Sequence, residues 1–65
     1  MTARVITFYA DTLPGTIGAV QKVWSDGKVK WYRLYFGKNL SGQKLFKSFP
    51  EDVVEIIPPD VSMAF

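Results

Sequence analysis

Asp26-Gly27 stands between two runs dense in Val, Trp and Tyr, and no other feature of the 65-residue chain limits its fold as much. Turns of type I′ need two residues that tolerate positive φ, so the pair predicts a tight hairpin joining strands over residues 16–25 and 28–36. In the second strand the period of two divides Lys30, Tyr32, Leu34 and Phe36 from Val29, Trp31, Arg33 and Tyr35. Burying Arg33 unpaired would be costly, so the first set is assigned to the core and the second to the outside. Two large rings and a guanidinium then stand side by side in solvent.

The rest of the chain supplies further short strands. Residues 4–9 are β-branched and aromatic enough for a first strand, and residues 11–15 follow as a loop in which Pro14-Gly15 favours a tight turn. Gly18 inside the next strand predicts a bulge or a close backbone approach. Residues 37–42, with Gly at each end and Asn39 between, predict a second hairpin turn leading into a strand over 43–49. Pro50-Glu51-Asp52-Val53 suits one turn of 3-10 helix, its dipole offset by the carboxylates, and residues 53–57 read as the last strand. Pro58-Pro59 cannot donate to a ladder and ends it. The expected fold is all-β, a small five-stranded SH3-like barrel over residues 1–57 with one 3-10 turn before the last strand. Residues 58–65 are expected to form a flexible tail.

Composition narrows the chemistry. A single domain of this length has no room for a core plus a deep pocket. Cys and His are both absent. That removes disulfides, thiolate metal sites, the cysteine nucleophile and the commonest general base, so no catalytic, cofactor or metal site is expected. The formal charge of +2 favours acidic partners without demanding them. No stretch approaches the roughly 20 apolar residues that span a bilayer, and the N-terminus lacks a signal-peptide pattern, so a cytoplasmic location is expected.

The candidate contact face is Trp31, Arg33 and Tyr35, joined by Lys47 on a possible neighbouring strand. Flat rings would anchor a partner while cations steer it in, although any small barrel exposes some large side chains. Trp24 is expected to cap an open end of the barrel, with an outward pairing to Trp31 as the alternative. Lys22 and the other scattered lysines either extend a basic surface or keep edge strands from aggregating. Glu51, Asp52 and Glu55 are the only clustered acids. They fit capping better than a metal site, because further oxygen ligands are lacking.

The order and spacing of several short pieces resemble the family of subunit S of the photosynthetic NADH-dehydrogenase-like complex. These are Arg4-Val5, Asp11-Thr12, Gly18-x-Val20-Gln21-Lys22-Val23 and Ser25-Asp26-Gly27-Lys28, with Lys44, Phe46 and Glu55 more loosely in place. The resemblance implies a non-catalytic accessory subunit that docks ferredoxin, an acidic electron carrier, to a larger membrane-bound complex. It would sit peripherally on the cytosolic face of the thylakoid membrane. Lys47 after Phe46 stands nearest to that family's partner-binding basic residue. A shorter likeness, Lys22-Val23-Trp24 with Gly27-Lys28, is to the small archaeal chromatin proteins, and implies nucleic-acid binding through the same basic and aromatic face. Docking of an acidic protein is the leading expectation, with nucleic acid as the alternative.

Overall fold

A computed structural model describes residues 1–58, so the expected tail lies, apart from Pro58, outside the described residues. Five strands, β1 (Thr2–Val5), β2 (Ile17–Ser25), β3 (Lys30–Lys38), β4 (Lys44–Pro50) and β5 (Val54–Ile57), pair antiparallel in one sheet, in the order β4-β3-β2-β1-β5. A 3-10 turn at Glu51–Val53 carries the chain from one edge strand to the other. Among the described residues no ladder joins β4 to β5. No helix among them is long and apolar enough to cross a membrane.

The core shows how the sheet curls. Ala3 and Val5 of β1 meet Tyr32 and Leu34 of β3, Phe49 of β4, and Val53 and Val54 at the last corner. Residues from both halves of the sheet can share one cluster only if the sheet folds over on itself. Phe36 packs against this cluster, its ring edge-on to Phe49 with centroids 6.0 Å apart. Each fully buried Leu, Val or Phe contributes about 1.5–3 kcal/mol toward offsetting the chain entropy. The face assignment of β3 therefore holds: Tyr32, Leu34 and Phe36 turn inward, while Trp31, Arg33 and Tyr35 lie on the other side. Lys30 shares the inward parity but sits exposed at the strand's end, its ammonium 5.6 Å from the centre of the Tyr32 ring.

The turn between β2 and β3 differs from the expected type. Ser25 pairs with Lys30, leaving residues 26–29 as a four-residue loop, and only Gly27 in it has positive φ, at 96°. The cause is the Asp26 side chain. Its Oδ1 accepts the N–H groups of Lys28 and Val29, both at 2.9 Å, and holds the chain in a wider turn. The two-residue turn with left-handed residues at both centres occurs instead at Ala10 and Asp11, with φ of 51° and 57°, closed by the pairing of Tyr9 with Thr12.

Other boundaries move for similar reasons. The first strand stops at Val5 instead of running to Tyr9, because β5 begins only at Val54 and the N–H of Ile6 turns to the carbonyl of Val53, at 2.8 Å. Gly18 marks a close approach, since a Cβ there would lie 2.8 Å from Cε1 of Phe36. The bulge lies farther along β2, between Val20 and Lys22. The second hairpin forms as expected, with Oδ1 of Asn39 accepting the N–H groups of Ser41 and Gln43 at 2.9 and 3.0 Å.

Candidate binding face

The register of β2, β3 and β4 builds the outer face in three rows. Trp31 lies between Trp24 and Pro50, Arg33 between Lys22 and Ser48, and Tyr35 between Ala19 and Phe46. Because the loop is four residues long, Trp24 falls directly opposite Trp31. The two rings lie nearly parallel, 14° apart, with centroids separated by 6.4 Å. Trp24 is thus an outward partner of Trp31, and the expectation that it caps an open end is corrected. Tyr35 and Phe46 form a second ring pair, tilted by 43° with centroids 5.2 Å apart.

Both cations of the middle row lie against rings. The Arg33 guanidinium carbon is 4.4 Å from the centre of Phe46, and Lys22 Nζ is 5.7 Å from the centre of Trp24. Such contacts contribute about 0.5–1 kcal/mol at exposed sites and, more usefully here, hold flexible cations in place. Between the rows lies an open depression of about 410 Å³ lined by Lys22, Trp24, Arg33, Phe46, Lys47 and Ser48.

Asp26 fixes one end of this face. Its Oδ2 accepts the Trp31 indole N–H at 3.2 Å while Oδ1 holds the turn. The backbone N–H of Val29, then that of Lys28, then the indole hold its carboxyl below the ordinary value of 3.8. Glu51 and Asp52 stand in the first turn of the 3-10 helix, where their charge offsets its dipole, but no side chain caps it by a hydrogen bond, and Glu55 is apart from them, paired with Arg4 at 2.8 Å.

Lys47 borders the depression, but its ammonium is turned away from the aromatic rows. It pairs opposite Leu34, a core residue, so its side chain leaves β4 on the side away from Arg33. Its Nζ donates to the Ala10 carbonyl at 2.9 Å and to the Thr12 hydroxyl at 3.1 Å, tying the β1–β2 loop to β4. The residues that sequence reasoning left out of the face are Phe46 and Asp26. Phe46 is recoverable from the alternation along the fourth strand; the second role of Asp26 has no sequence signal beyond its place before Gly27.

No protein-family model, curated protein or solved structure matches the chain.

Proposed function

We propose that this chain is a non-catalytic binding module whose outer β2–β3–β4 face takes nucleic acid. One observation carries the reading: four aromatic rings and two cations occupy a single open sheet face, and no carboxylate stands in any of its three rows. Rings on a sheet stack on bases, and the cations between them meet phosphates. With two cations on the face and a net charge of +2, the electrostatic term is small and stacking must supply most of the affinity.

Docking of an acidic protein is the second reading. Its support is that clustered Trp, Tyr and Arg are the residue types enriched where protein interfaces concentrate their energy. The resemblance would make that partner ferredoxin, at a membrane-bound complex on the cytosolic face of the thylakoid. The ammonium of Lys47, the cation the resemblance points to, is held by Ala10 and Thr12, so Arg33 and Lys22 would do most of the steering.

Titrating isotope-labelled protein with an oligonucleotide and, separately, with ferredoxin separates the two. Shifts of the Trp24 and Trp31 indole protons and of the Arg33 side chain are expected with the oligonucleotide. If ferredoxin alone moves them, the docking reading replaces the first.

A further inference from the structure

Resting on the nucleic-acid reading, we infer that the ligand is single-stranded, with its bases on the two ring pairs and its phosphates on the cation row between them. The order of the rows carries this. Trp24 with Trp31 forms one ring pair, Lys22 with Arg33 follows, and Tyr35 with Phe46 forms the second pair. At about 3.3 Å per residue, Trp31 and Tyr35 stand roughly 13 Å apart along β3. Bases two nucleotides apart in one extended strand, with two phosphates between them, repeat the same alternation. The parallel Trp rings make a platform for an unpaired base, and Tyr35, whose partner Phe46 lies under the Arg33 guanidinium, offers a second ring.

A duplex fits the face poorly. Its bases are already stacked and show only their edges, so a sheet reaches base faces only by wedging a step apart, at a few kcal/mol per step. That cost is usually met by many phosphate contacts, and here the middle row holds two cations. An unpaired base needs no such opening. Its stacking on an aromatic side chain is worth about 1–3 kcal/mol.

The surface also limits where the strand can go. Beyond the Trp row acids outnumber bases: Asp26 is bonded to Trp31, and Glu51 and Asp52 share a hollow beside Trp31 and Pro50 with one cation, Lys28. A phosphate backbone continuing past Trp31 meets three carboxylates against one ammonium, a net negative balance that sets the end of the site there. A strand of a few nucleotides fills it.

The test is a set of fluorescence and salt titrations on the full chain, using a short oligothymidylate, a mixed-sequence duplex of equal length and polyglutamate. The single strand is expected to quench Trp emission and to bind at least about tenfold more tightly than the duplex. The logarithm of its affinity should fall against log salt with a slope of about −1.4, from about 0.7 per neutralised phosphate. Trp31→Ala should weaken it by about five- to 150-fold. Arg33→Gln, on an exposed side chain, should leave the fold intact and bring the slope to about −0.7. A duplex bound as tightly as the strand, or Trp31→Ala binding unchanged, overturns the single-strand inference and leaves nucleic-acid binding standing. If polyglutamate alone binds, the nucleic-acid reading fails with it.

Discussion

Asp26 holds two structures at once. Its Oδ1 caps the turn and its Oδ2 sets the Trp31 ring, which in turn stacks on Trp24. Asp26→Asn separates the two roles, since Asn keeps one acceptor oxygen for the backbone while its amide nitrogen cannot accept the indole N–H. The variant should stay folded with the Trp31 indole proton shifted toward its solvent value and the exciton signal of the Trp pair in circular dichroism reduced. An unchanged indole shift would mean that the bond does not set the ring. The lowered pKa has a direction in pH. A carboxyl whose folded-state pKa lies below 3.8 adds stability that is present above 3.8 and disappears as pH falls through the lower folded-state value. Following the Asp26 carboxyl carbon and the Trp31 indole proton through an acid titration should show both moving together, with a midpoint below 3.8. The Arg4–Glu55 pair is a contrast. Both side chains are about half exposed, so Arg4→Ala should cost under about 1 kcal/mol in a urea titration.

At the scale of the elements, β2 and β3 approach closely at Gly18. Gly18→Ala would press a methyl against the Phe36 ring and against the Tyr35 carbonyl, 3.1 Å away. Denaturant unfolding should show a loss of about 1–3 kcal/mol, and a neutral result would mean that Phe36 can swing aside. How far each element could be read from sequence depends on what sets it. The two faces of β3 follow from its period of two, and the second hairpin from Gly37, Asn39 and Gly42. Turn length did not follow, because the Asp26 carboxylate outweighed the preference of Asp-Gly for a two-residue turn. That one difference sets the site: with a two-residue turn Trp24 would oppose Val29, and with the four-residue loop it opposes Trp31. The left-handed Ala10 and Asp11 carry no glycine to announce them. The side on which Lys47 lies depends on the register of β4 against β3, which a bulge between Tyr35 and Lys38 shifts.

For the molecule as a whole, stability rests on few residues. At about 0.05–0.15 kcal/mol per residue, a chain of this size has roughly 3–10 kcal/mol to lose. Phe49 is fully buried and touches the Tyr9 and Phe36 rings, with centroids 5.8 and 6.0 Å away. Phe49→Ala should cost about 3–5 kcal/mol and leave a substantial unfolded population in the amide spectrum at room temperature. A sharp native spectrum for that variant would place the core elsewhere. By the same reasoning the outer face is free to vary, since Trp24, Trp31 and Arg33 lie outside the buried cluster.

The bonds from Lys47 to Ala10 and Thr12 join positions 37 and 35 residues apart in the chain. A fastening of that reach closes a long loop, so it is expected to form late, after the folding barrier. Lys47→Met should leave the refolding rate almost unchanged and quicken unfolding. The latch then sets how long a molecule stays folded once formed, and has little bearing on how fast it gets there.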